Sequence, residues 1–224
     1  MTQILCKKMV SAAFFVCLSI NAMEPQEDFE VNQFIDEHKN SPEILRDLLI
    51  DMGRWETPDL EAAKKILNLG VVSANDKDKG NVWEGYYGNP GAAALTTAAS
   101  YGKTDYVKLL LDYKADIEIK DPWDSRTAIM AAALHGHNDT LELLLSHGAN
   151  VNATNCYGTT ALIWAASEVK VETVKLLLKA KADVNAKNKD GETALKAAKG
   201  TIFWRYRDQC DQIVKLLEDA GAKE

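Results

Sequence analysis

An all-α solenoid of stacked helix–turn–helix units is the fold this sequence predicts, on three observations. Four segments align at spacings of 33 or 34 residues. Each full segment carries leucines at helical spacing, and a polar turn closes each of them at a corresponding place.

The aligned segments are 93–120 (AALTTAASYGKTDYVKLLLDYKADIEIK), 127–154 (TAIMAAALHGHNDTLELLLSHGANVNAT), 160–187 (TALIWAASEVKVETVKLLLKAKADVNAK) and the start of a fourth, 193–200 (TALKAAKG). Leu95, Ile129, Leu162 and Leu195 fall 34, 33 and 33 residues apart, and Ala115, Ala149 and Ala182 repeat the 34 and 33. Within a unit, an alanine-rich stretch such as 128–134 predicts a first helix whose small side chains let a neighbour approach closely. Gly102 and Gly136 break the chain after it. A second helix, as in 140–146, places Leu141, Leu144 and Leu145 on one face. A polar turn such as 150–153 closes the unit. One unit cannot bury its apolar face alone, so neighbours share a continuous core.

The ends of the array depart from the pattern. Pro42 and Pro58 suit first helical turns, with Ser41 and Thr57 as caps, and predict two helices over 42–51 and 58–69. Ile44, Leu45, Leu48, Leu49, Ile66 and Leu67 form their core. A further helix is predicted over 28–38. The last unit carries about seven extra residues, 201–207, before a helix over 210–220.

With these sequences laid side by side, the segments resemble ankyrin repeats. The family's Thr-Pro-Leu-His-x-Ala stands in degenerate form at 127–132, 160–165 and 193–198. The Gly-Ala-Asn-Val-Asn-Ala closing is intact at 148–153 and altered at 181–186. The likeness is strong over 88–224 and weak over 42–75. It implies an N-terminal cap over 23–41 and a degenerate first repeat with an enlarged finger over 42–87. Repeats follow over 88–120, 121–154 and 155–187, with a capping repeat over 188–224. The family proline is missing at Ala94, Ala128, Ala161 and Ala194, and the family histidine at Thr96, Met130, Ile163 and Lys196. Lys114 and Lys181 stand where the family prefers glycine, at about 1 kcal/mol if the left-handed backbone is kept.

The resemblance implies a protein partner held on the concave face of fingertips and first-helix ends. Mapped by position, the fingertips are Trp123, Asp124, Arg126, Cys156, Tyr157, Thr159, Lys189, Asp190 and Glu192. The helix ends are Ser100, Tyr101, Leu134, His135, Ser167 and Glu168. Trp83, Tyr86 and Tyr87 on the enlarged finger extend the row, so Tyr86/Tyr87, Tyr101, Trp123 and Tyr157 are expected to form an aromatic stripe. Trp164 is assigned to the core.

Composition narrows the alternatives. Apolar residues make up 46% and charged residues 26%, as in a folded chain. The formal net charge of −7, without a basic cluster, argues against nucleic acid as partner. A basic pair, Lys7-Lys8, precedes the uncharged, mostly apolar run 9–20 (MVSAAFFVCLSI), and a polar acidic stretch follows Ala22. That layout predicts a signal peptide over 1–22, with Ile20 an imperfect fit to the cleavage pattern. It implies a secreted or periplasmic protein, with no membrane insertion after cleavage. Removing 1–22 takes away two lysines and no acids and leaves −9. Cys156 and Cys210 then remain, too few for a metal site or a disulfide framework.

No catalytic constellation stands out. His135 and His137 lack the i, i+4 spacing of a metal pair and read as turn histidines. No phosphate loop or nucleophile elbow is present, and a calcium loop from Asp76 lacks its ligands at Gly80 and Tyr87. The reading is a non-enzymatic protein-binding module with no cofactor, no metal and no small-molecule substrate. The alternative is an exported structural or protective array, holdase-like, with no single ligand.

Overall fold

The computed structural model describes residues 28–76, 93–121, 123–200 and 206–223, with side chains from Val31 onward. The signal segment 1–22, the enlarged finger with Trp83, Tyr86 and Tyr87, and most of the 201–207 insertion lie outside the described residues.

Among the described residues the helices are α1 (Asp28–Glu37), α2 (Pro42–Met52), α3 (Leu60–Asn68), α4 (Ala94–Ser100), α5 (Thr104–Asp112), α6 (Ala128–His135), α7 (Asn138–Ser146), α8 (Ala161–Ser167), α9 (Val171–Lys179), α10 (Ala194–Gly200) and α11 (Arg207–Asp219). They pack in two layers. The inner layer runs α2, α4, α6, α8, α10, each helix against the next; α1, α3, α5, α7, α9 and α11 form the outer layer. Each inner helix also packs on its own outer partner. This is the predicted all-α solenoid.

The inner helices are short and rich in alanine because backbones meet there. A carbon added to Gly53, just past α2, would sit 2.9 Å from the Ala98 nitrogen of α4. The outer helices supply bulk: Tyr106 and Leu110 of α5, Leu141 and Leu144 of α7, and Val174 and Leu177 of α9 are fully buried. Each such leucine contributes about 2–3 kcal/mol by burial. Tyr106 was not read from the sequence as core; its hydroxyl donates to the Leu49 carbonyl of α2, which pays the polar group's way inside.

One termination device recurs at every full unit. After the inner helices, Lys103, His137 and Lys170 donate backbone N–H to Ala98, Ala132 and Ala165 at 2.9–3.0 Å. After the outer helices, Ala115, Ala149, Ala182 and Ala222 do the same to Leu110, Leu144, Leu177 and Leu217 at 2.9–3.1 Å. Each pair encloses a left-handed residue, so these are Schellman closures. Lys114 at φ 64° and Lys181 at φ 62° keep that conformation without glycine, so the side-chain cost of about 1 kcal/mol applies at both. Val169, at φ 56°, is a stronger departure that the sequence reading passed over, since a branched side chain is disfavoured there.

Three corrections concern element ends and one the core. The second front helix begins at Leu60, not Pro58, and its cap is Asp59, which accepts from the Ala62 N–H at 2.8 Å; Thr57 plays no such part. Ser41 precedes α2 without a side-chain capping bond, while Pro42 does occupy the first turn. Ile44 and Leu48 are only half-buried, and Arg46 is buried instead, paired with Asp47 at 2.9 Å. Finally, α11 starts at Arg207, so Cys210 is inside it rather than at its start.

Candidate partner-binding face

The fingers are built by one side chain each. Asn155 Oδ1 accepts the backbone N–H of Tyr157 and Thr159 at 3.0 and 2.9 Å, and Asn188 Oδ1 accepts those of Asp190 and Glu192 at 3.0 and 2.9 Å. Asp121 does the same for Trp123 and Asp124 at 3.0 and 3.2 Å, in a finger one residue longer. Burial raises the Asp121 carboxyl above the ordinary carboxylate range; hydrogen bonds from Asp124 and Trp123 pull it back. Neighbouring fingers are joined along the row, Cys156 N–H to the Asp124 carbonyl at 2.7 Å and Lys189 N–H to the Tyr157 carbonyl at 2.9 Å.

A second row of bonds joins the turns beyond the outer helices. Asn75 Oδ1 accepts from the Asp116 N–H, Glu118 from Asn150 (2.7 Å), Asn152 from Asp183 (2.8 Å) and Asn185 from Lys223 (2.8 Å). A third joins the helix ends: His137 Nε2 donates to the Ser100 carbonyl at 3.0 Å, and Lys103 Nζ to the Glu56 carbonyl at 2.9 Å. His137 does stand in the turn before α7, as expected, but it is half-buried and bonded between units instead of lying free on the surface.

On this scaffold the predicted site residues separate into groups. Trp123 and Tyr157 stand 63% and 58% exposed on adjacent, bonded fingers, and Tyr101 is 52% exposed just past α4. None of the three stacks on another, and Tyr86 and Tyr87 of the expected stripe lie outside the described residues. Arg126 is partly spent inside its own finger, with Nε 2.8 Å from Asp124 and 3.6 Å from Asp121. The Glu192 carboxylate accepts from Asn188 Nδ2 at 3.2 Å, whereas Asp190 is exposed. His135 ends α6 and is exposed; Glu168 follows α8 and is exposed; Leu134 is half-buried. Trp164 is also a correction: its indole is partly exposed, and its N–H is buried without a hydrogen-bond partner. Alanines hold its place in α6 and α10, Ala131 and Ala197.

Cys156 and Cys210 are both free thiols, and burial with Asp211 beside it pushes the Cys210 thiol up. Among the described residues no group of three or more potential ligands converges as a metal site, and no helix is long and apolar enough to cross a membrane.

A two-layered helical solenoid whose bonded fingers project from the inner layer defines a class of repeat scaffold. The family model for ankyrin repeats (3 copies) matches residues 39–155, 95–188 and 152–223, which together span most of the chain. The chain belongs to the ankyrin-repeat family. Such repeats are in general protein–protein interaction modules. No curated protein matches it.

Proposed function

We propose that this protein is a non-enzymatic binding module that holds one protein partner against its fingers and inner-helix ends. The observation that carries this reading is the exposure of Trp123, Tyr157 and Tyr101, three large rings left more than half open to solvent at two neighbouring fingers and the end of α4. Two of them sit on fingers whose backbones are bonded together, so they are held in place before any partner arrives. Tyr and Trp dominate interface energy because a large, stiff apolar surface is buried at little entropic cost.

The test is affinity capture beside a Trp123→Ala/Tyr157→Ala variant. A partner held by this face should bind the variant at least about 30-fold more weakly, about 2 kcal/mol, with the melting transition unchanged. Equal recovery of a partner by both proteins would rule this face out and move the contact elsewhere on the array, whereas no partner at all would favour the passive, protective reading.

We further propose that the chain is exported and cleaved after Ala22, on the basic pair and the apolar run 9–20. The mature protein should begin at Met23. Mass spectrometry of exported material that retained Met1 would refute this.

A further inference from the structure

The chemistry of the partner is written in the seam between the ends of α6 and α8, where Lys170 crosses Gly136 and His135 feels Arg126 of the neighbouring finger. Lys103, His137 and Lys170 hold equivalent places, each just before an outer helix. The first two spend a side-chain N–H on a backbone carbonyl of the preceding unit. Lys170 makes no side-chain hydrogen bond or ion pair among the described residues. Its stem instead crosses the end of α6 at Gly136: a carbon added there would lie 3.0 Å from Lys170 Cδ. The ammonium is thereby brought within electrostatic reach of His135.

His135 is exposed, makes no hydrogen bond among the described residues, and its ring centre lies 6.0 Å from that of His137. Partial burial lowers its pKa below the ordinary 6.5, and His137, Arg126 and Lys170 lower it further; Glu168 pulls the other way. Arg126 is balanced by Asp124 and Asp121. What remains in the seam is an unpaired lysine, a histidine that is crowded by positive charge, and Glu168, on a chain of net charge −7.

We propose that this seam receives a carboxylate of the partner, so that the ligand is an acidic segment laid along the aromatic fingers; the inference rests on the binding reading above. Lys170 holds the carboxylate throughout the neutral range. His135 joins it once protonated, and a bound anion offsets the burial and the repulsion that disfavour the charged ring. Binding therefore tightens as pH falls through the range in which His135 takes up its proton, and levels off above it.

A displayed random-peptide library selected against the immobilised protein at pH 5.5 tests this. Selected peptides should be enriched in Asp or Glu and bind about tenfold more tightly at pH 5.5 than at 7.5, the worth of one charge-assisted hydrogen bond. A Lys170→Gln/His135→Gln variant with an unchanged melting transition should lose that gain. Absence of acidic enrichment, or equal binding by this variant, overturns the proposal, as does a dimer in sedimentation that fills the seam. Peptides lost by this variant but kept by Trp123→Ala/Tyr157→Ala would retain the carboxylate seam and refute the aromatic face.

Discussion

Replacing Leu144 by alanine is expected to cost the protein about 3–4 kcal/mol, the upper part of the range for a buried leucine. Leu144 is fully buried in α7, and α7 packs on α6, α5 and α9 at once. The cavity would open where three helices meet, with alanines and leucines around it that are already close-packed and cannot collapse into the gap. In a solenoid each unit is stabilised mainly by its neighbours, so weakening a central one also uncouples the ends. Urea unfolding should show a lower midpoint and a shallower slope, since the two halves no longer melt together. A loss below about 1 kcal/mol would mean that the outer layer is packed far more loosely than described.

Adding a single carbon at Gly53 should be nearly as damaging, about 2–3 kcal/mol. Gly53 has φ −64°, a conformation open to any residue, so its backbone is not what demands glycine. The demand comes from α4: the new carbon would meet the Ala98 nitrogen at 2.9 Å and its Cα at 3.2 Å, and backbone atoms cannot step aside as a side-chain tip can. Gly70 is the matched control. It has φ +68° and nothing within 4 Å of the added carbon, so Gly70→Ala should cost only the left-handed penalty of about 1 kcal/mol. Thermal or urea midpoints of the two variants separate crowding from backbone strain. Equal losses would show that α2 and α4 do not approach closely.

The period, the alternation of small and leucine-rich helices and the finger positions were legible because they repeat: Leu95, Ile129, Leu162 and Leu195 announce themselves by spacing alone. Features carried by one residue were not. Asp59 and Thr57 are both good capping types, and only the start of α3 decides between them. Arg126 has the chemistry of a contact residue, and nothing local reveals that Asp121 and Asp124 fold back to hold it. The bonds from Lys103 to Glu56 and from His137 to Ser100 span 47 and 37 residues, beyond any motif window. Trp164 misled for the opposite reason: the alignment places it in a helix that is otherwise buried, but on a face that Ala131 and Ala197 leave shallow.

The bonds between successive turns reach further than stability. Each consists of one side-chain oxygen, from Asn75, Glu118, Asn152 or Asn185, and a backbone N–H of the next turn, which every residue but proline possesses. The connector is thus carried whole by the earlier unit and asks almost nothing of the later one. Glu118 takes the accepting role of asparagine without the second bond that Asn75 and Asn185 donate to the next turn, and the coupling survives separations as different as 31 and 41 residues. An array joined in this way can gain, lose or lengthen a unit without redesign of its neighbours, so its reach can be edited one link at a time.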